Sequence, residues 1–230
     1  MWEGSGSRTG GGAPLRSAAL TLPYARGVVG GGHIATTTWL EDQDRAVSLQ
    51  NGPVHSDKPV ICKVHGFCVA GGTDLALCAD LLVIADDARI GYPPARVWDV
   101  PTSALWAFRV GDQRAKRLLF TGDLIDGRTA HEWGLAVEAP RAAELDERFE
   151  QLVDRIALTP VNQLVMMKLL VNQALYSQGL YATQALGVFF DGIARHTPEG
   201  YEFQRRAAER GFKAAVRQRD EPYGPAQSPP

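Results

Sequence analysis

Between Lys63 and Asp80 the chain reads K-V-H-G-F-C-V-A-G-G-T-D-L-A-L-C-A-D, and its chemistry-bearing feature is the pair Gly71–Gly72 followed by Thr73 and Asp74. A strand that ends in glycines at a helix N-terminus exposes backbone N–H groups with no side chain in the way. Such groups can approach an oxygen that turns negative during a reaction. Donors fixed in a partly dry site are worth several kcal/mol at a transition state, and removing one typically costs about 3 kcal/mol. A carboxylate on the first helical turn, Asp74, is held by the same element, so an acid/base group and a charge-stabilising donor are fixed together. Two plainer readings stay open. The Gly-Gly turn can merely pack helix against strand, and Asp74 can merely complement the helix dipole.

The elements that must position these residues are short. Val60–Val64 is a mostly apolar run bounded by Pro59 and Gly66 and is predicted as a buried strand. A short helix is expected from the glycines to Ala79, with Thr73 and Asp74 in its first turn, and Leu81–Ala85 is a second buried-strand candidate. Strand, glycine turn, helix and strand in such close succession point to a layered α/β unit. Further on the spacing turns helical. Leu145, Phe149, Leu152, Val153 and Ile156 form one apolar stripe, and Leu186, Phe189, Phe190 and Ile193 repeat the pattern. Val161 to Leu175 is apolar nearly all round, with only Asn162, Gln163, Lys168, Asn172 and Gln173 polar, so that helix is either central or at a subunit interface.

Composition narrows the function classes. With 230 residues, 45% hydrophobic and 22% charged, the chain has the makeup of one globular domain. A formal charge of −2 gives no electrostatic case for nucleic acid. Cys62, Cys68 and Cys78 are odd in number and lack metal-ligand spacing, so neither a disulfide framework nor a metal site is expected. No stretch reaches the roughly 18 apolar residues that span a bilayer. Met1–Arg16 lacks the apolar run of a secretory signal, so no membrane association and a cytoplasmic location are expected. The loose G-x-G-x-x-A within Val28–Ala35 is followed by Thr36, Thr37 and Thr38, poor helix formers, and reads as a loop rather than a dinucleotide site.

The stretch H-G-F-C-V-A-G-G-T-D-L-A-L-C-A-D resembles the signature of the crotonase (enoyl-CoA hydratase/isomerase) family, and three further segments keep its order. Ala88–Gly91 resembles the family's A-x-F/I-G strand, Lys116–Gly122 its helix-then-T-G segment, and Ala130–Val137 its A-x-x-x-G-L-V. The likeness runs over roughly residues 57 to 220. It implies an α/β fold, a spiral of ββα units with a helical C-terminal region, assembled as a homotrimer or a dimer of trimers. The implied organisation is an atypical segment over 1–57, a core carrying the oxyanion segment over 58–140, a helical region over 141–222 and a flexible tail over 223–230. The implied substrate is an acyl-CoA thioester whose enolate is stabilised by backbone N–H groups, with coenzyme A entering as part of the substrate and no separate cofactor. Gly71 takes the position of the second donor and Asp74 that of the first catalytic carboxylate. Cys68, Ala70, Gly72, Trp98 and Asp99 are expected against the substrate.

Three departures from the family pattern bear on the reaction. Pro94 stands where hydratases carry a second carboxylate, so the two-carboxylate arrangement that holds and deprotonates water is incomplete. Asp99 could substitute from the same loop, although an exposed loop aspartate is the commoner case. The glycine-rich helix start of the family reads Pro101, Thr102, Ser103, Ala104, Leu105 here, and Trp98 and Trp106 add bulk that would reshape the acyl pocket or simply pack the core. The segment that supplies the first oxyanion donor finds no match in residues 1 to 58; either Gly30–His33 takes that role or the chain is a shortened version of a longer enzyme. Hydration, double-bond isomerisation through one carboxylate, and acyl-CoA binding without turnover therefore stay open. His65 reads as a turn residue, His131 and His196 as surface or packing, and the basic set Arg205, Arg206, Arg210 and Lys213 is assigned no role.

Overall fold

The computed structural model describes residues 19–21 (main chain only), 54 and 56–224. Most of the expected N-terminal segment, Gly30–His33 included, and residues 225–230 lie outside them. Strand β1 (Ala19–Thr21) runs parallel to β2 (Ile61–Val64), which runs parallel to β4 (Leu81–Ile84). A second sheet pairs β3 (Phe67–Val69) parallel to β5 (Arg89–Gly91), and β5 antiparallel to β6 (Leu124–Asp126). Helix α1 (Gly71–Cys78) follows β2 and β3; a 3-10 turn (Pro93–Arg96) and helices α2 (Leu105–Val110) and α3 (Asp112–Thr121) follow β4 and β5. Each pair of strands thus gives its first member to one sheet and its second to the other before a helix closes the turn, which is the expected spiral of ββα units.

Burial explains why the strands read as short apolar runs. Ile61, Cys62, Val64, Leu82, Val83 and Ile84 are all buried between neighbouring strands and the helices around them, as parallel strands covered on both faces require. Arg109 of α2 reaches back to the C-terminal end of α1, where Nη2 donates to the carbonyls of Leu77 (3.1 Å) and Ala79 and Nη1 to that of Asp80 (3.3 Å). A cation there satisfies orphan carbonyls and complements the helix dipole. Helix α4 (Gly127–Glu132) begins so close to the end of β4 that a Cβ at Gly127 would lie 1.9 Å from the Ala85 carbonyl oxygen.

The helical region holds two surprises. In α5 (Leu145–Ala157) the inward residues are Leu145, Phe149 and Val153, as the stripe predicts. In α6 (Val161–Ser177), by contrast, the buried residues are the polar Lys168 and Asn172, while Met166, Met167, Leu169, Leu170 and Val171 are exposed. Lys168 Nζ pairs with Asp80 (2.8 Å) and donates to the Lys58 carbonyl (3.1 Å), and Asn172 donates to the Val54 carbonyl (3.2 Å). Helix α7 (Leu180–Ala194) corrects the sequence reading. Its stripe of Leu186, Phe189, Phe190 and Ile193 faces outward, and the inward face carries Leu180, Gln184, Val188, Asp191 and Gly192. Polar anchoring therefore seats α6, and α7 is seated by a mixed face of Leu180 and Val188 with Gln184 and Asp191. Helices α8 (Pro198–Arg210) and α9 (Phe212–Asp220) complete the described chain.

Replacing Gly127 by Ala should push α4 off β4, and overpacking against main chain of this kind costs about 1–3 kcal/mol. Urea unfolding should show the lower midpoint with an unchanged slope.

Candidate active site

Ala70, between β3 and α1, has φ 55° and ψ −132°, a conformation in the left-handed range that L-residues rarely adopt. The turn aims its carbonyl into α1, where it accepts from Thr73 N (2.8 Å), Thr73 Oγ1 (2.6 Å) and Asp74 N (3.3 Å). A trans peptide holds C=O and the following N–H antiparallel, so the Gly71 amide points out of the helix end, away from that cluster. Among the described residues no carbonyl takes this amide, and a Cβ at Gly71 would meet nothing within 4 Å. At Gly72 the nearest atom to a Cβ would be Cys68 Sγ at 4.0 Å. Cys68 is buried and its thiol is strongly held in the protonated form by that burial, so it contributes bulk and not a nucleophile.

Asp74 is 1% exposed. Burial pushes its carboxyl up to about 7, helped by the nearby Asp191 and opposed by hydrogen bonds from the side chain and backbone of Thr102 and from Tyr92. Tyr92 Oη donates to the Val100 carbonyl at 3.4 Å and stands beside Asp74, whose charge it favours. One carboxylate oxygen, Asp74 Oδ1, is buried without a hydrogen-bond partner among the described residues. A group titrating near neutrality beside an orphan amide at a helix start has the properties of an acid/base residue next to an oxyanion donor.

Around Asp74 the chain gathers residues that spacing did not join. Asp99 is buried at 8%, not exposed as loop aspartates commonly are, because it packs under α7 beside Asp191, itself 5% exposed. Burial first, and then the neighbouring Asp191 carboxyl, drive the Asp99 carboxyl well above the usual range, against the pull of Arg195. Arg195 Nε and Nη2 both reach Asp191 Oδ2 (3.0 and 2.9 Å), and the same Nη2 lies 3.7 Å from Asp99 Oδ1. Trp98 stacks on Phe203 at 5.4 Å and receives the Arg195 guanidinium on its ring at 4.8 Å. Gly187, one turn before Asp191, allows the approach: a Cβ there would lie 2.8 Å from the Pro101 carbonyl oxygen. The buried proline at 94 sits in the 3-10 turn and has no titratable group. Trp106 is fully buried and belongs to the core.

Sequence reasoning missed Asp191, Tyr92, Thr102 and Arg195. The one available signal was a charged residue, Asp191, next to the aromatic pair Phe189–Phe190 on an otherwise apolar helix. Of the basic set near the C-terminus, Arg205 and Arg206 are paired to Glu202, and Arg205 also to Glu209. His65 is exposed beside the Gly66 turn, in keeping with its turn reading. No group of acidic, His or Cys residues that could hold a metal ion occurs among the described residues, and no described helix is long and apolar enough to cross a membrane.

Comparison with known proteins adds the lineage. The family described as enoyl-CoA hydratase/isomerase matches residues 30–197, starting well upstream of the segment in which the sequence motifs were legible. The chain is similar to a crystal structure of enoyl-CoA hydratase from Mycobacterium smegmatis, with 59% identity, a TM-score of 0.79, and coverage of 81% of this chain and 64% of that one. It is similar to crotonyl-CoA hydratase of Syntrophomonas wolfei, 35% identical over 104 residues (44% of this chain, 40% of the relative). It is also similar to 1,2-epoxyphenylacetyl-CoA isomerase of Escherichia coli, 31% identical over 120 residues (51% and 46%). The chain thus spans about half the length or less of the curated relatives it matches. With the ββα spiral, the glycine turn and the family match over most of its residues, the chain belongs to the enoyl-CoA hydratase/isomerase family and has its α/β crotonase-like fold.

Proposed function

We propose that this chain converts acyl-CoA thioesters, and that its principal reaction is addition of water to a 2-enoyl thioester. The observation that carries the reading is the pairing of the free Gly71 amide with the buried Asp74 one helical turn away. The thioester oxygen lies against the Gly71 amide, and Ala70 and Gly72 leave the main chain bare around it. Negative charge that develops there meets a donor fixed in advance by the strained Ala70 peptide. Asp74 moves the proton. Trp98 and Asp99 bound the far side, and coenzyme A arrives as part of the substrate. Isomerisation of the double bond through Asp74 alone is the second reading, favoured by Pro94 in place of a carboxylate and by the similarity to an isomerase. The reaction is placed in the cytoplasm.

The outward apolar faces of α6 and α7 fit a subunit interface. Leu170 is 74% exposed and Met166, Val171 and Phe189 are each more than half exposed, a patch of the kind that marks association. A homotrimer, or two trimers together, is the assembly proposed.

Three measurements bear on this. Incubation with crotonyl-CoA should bleach the conjugated thioester absorbance, whereas isomerisation of a 3-enoyl-CoA would raise it; Asp74→Asn should lower turnover about 10²–10⁴-fold, and unchanged turnover would remove Asp74 from the mechanism. The same variant tests the burial of the carboxyl. The folded pKa of about 7 lies above the ordinary 3.8, so between those values the folded chain keeps a proton that the unfolded chain has lost, and stability falls as pH rises. Neutral Asn removes that penalty, so the variant's gain in melting temperature over the parent should grow from pH 5 to pH 8. Lastly, Leu170→Glu should shift the protein to monomer in light scattering, and a monomeric parent would discard the assembly.

A further inference from the structure

We propose that Asp191 of α7, paired with Asp99, is the second carboxyl group of the site and holds the water that Asp74 deprotonates. The inference rests on the reading of Asp74 as the proton-transfer group and assigns the partner that Pro94 cannot provide.

Three observations converge. Among the described residues Asp99 Oδ1 and Asp191 Oδ1 are buried without a hydrogen-bond donor, while Arg195 Nη2 lies 3.7 Å from Asp99 and 2.9 Å from Asp191 and so holds the two carboxyls together; a proton carried by Asp99 would give the facing oxygens a donor. Arg195 takes Asp191 Oδ2 through two nitrogens, so the pair with its single proton and the guanidinium is neutral overall and tolerable in a buried place. Asp74 Oδ1 is buried without a hydrogen-bond partner among the described residues, and Gly187 lets α7, which carries Asp191, reach the Thr102 segment beside Asp74. Three buried carboxylate oxygens without partners in one neighbourhood make a polar setting of the kind a buried water occupies, since water donates two hydrogen bonds and needs two to four partners. The other groups that bear on Asp74 are Tyr92, Thr102, Cys68 and Cys78, and none of them offers a second carboxyl.

The step balances. The water donates one hydrogen bond to Asp74 and one to the Asp99–Asp191 pair, which aims a lone pair at C3 of the enoyl thioester. Asp74 takes one proton as the C3–O bond forms, and the displaced π pair moves onto the thioester oxygen against the Gly71 amide. Asp74 then returns the proton to C2 as the enolate collapses, so one water is added and every group regains its starting state. Gly187 and Arg195 act as positioning residues for Asp191.

The test separates water-holding from enolate chemistry in the same protein. Exchange of the C2 hydrogen of butyryl-CoA with deuterium oxide needs Asp74 and the oxyanion donor but adds no water, while hydration of crotonyl-CoA needs all of them. Asp191→Asn keeps the shape, and Asp99→Asn serves as a second variant should the first fold poorly by circular dichroism. The expected result is hydration kcat lower by about 10²-fold, KM within a few-fold of the parent, and a loss of C2 exchange at least tenfold smaller than the loss of hydration. Hydration unchanged in both variants overturns the assignment, as does equal loss of hydration and exchange, which marks a purely structural role. If the unmodified protein shows neither reaction, the parent reading itself fails, which the variants do not need to decide.

Discussion

The peptide between Ala70 and Gly71 constrains everything around it. A non-glycine residue in that conformation costs of order 1–3 kcal/mol, and the structure holds it by sending three donors, two amides and the Thr73 hydroxyl, into one carbonyl. The far end of α1 is clamped by the Arg109 guanidinium on the Leu77, Ala79 and Asp80 carbonyls. A helix of eight residues is too short to be stable alone. Fixed at both ends, it becomes a rigid mount that holds the Gly71 amide and the buried Asp74 carboxyl within one helical turn of each other.

The remainder of the chain can be understood as closing the space beyond that mount. The buried carboxyl of Asp74 becomes tolerable through hydrogen bonds from Thr102 and Tyr92, and these come from the segment after β5. That segment is itself held. Arg96 donates to the Thr121 carbonyl (2.9 Å), pairs with Asp220 (2.9 Å) and lies under the Tyr223 ring at 3.9 Å. Helix α7 then seals the far side, because Gly187 lets its main chain touch Pro101 and Thr102. Disturbing the C-terminal anchor of Arg96 or the close approach at Gly187 therefore reaches the acid cluster without touching any of its members.

What the sequence disclosed follows from what is local. Strand β2, the glycine turn, α1 and β4 lie close together in sequence, and the spacing of Gly71 and Asp74 lies within one helical turn; this was legible, whereas the three-residue β3 between β2 and the turn was too short to show as an apolar run. The inverted faces of α6 and α7 were not. Periodicity reports that a helix has an apolar side, and it is silent on whether that side meets the chain's own core. Lys168 and Asn172 look like interruptions in α6, yet they are its anchors, through an ion pair to Asp80 and a bond to the Val54 carbonyl. Asp99 was misjudged for a related reason. Its exposure depends on α7, some 90 residues downstream, and no local rule connects the two.

The same distance bears on the chemistry. In the family pattern the second carboxylate stands at position 94, in the 3-10 turn a short way after β5. With proline there, the second acidic group has to come from elsewhere, and the fold brings it from two elements at once, Asp99 on the loop and Asp191 on a helix. Burial and the neighbouring Asp191 raise the Asp99 carboxyl, so Asp99 retains its proton under conditions where a lone aspartate would not. Arg195 keeps that arrangement neutral, and Trp98 is held between Arg195 and Phe203. The charge on Asp74 is then set by a group of residues from α1, the β5–α2 segment and α7. Its proton affinity is a property of how these three are packed, so a change in the seating of α7 alters the acid/base behaviour of the site as directly as a change in Asp74 itself.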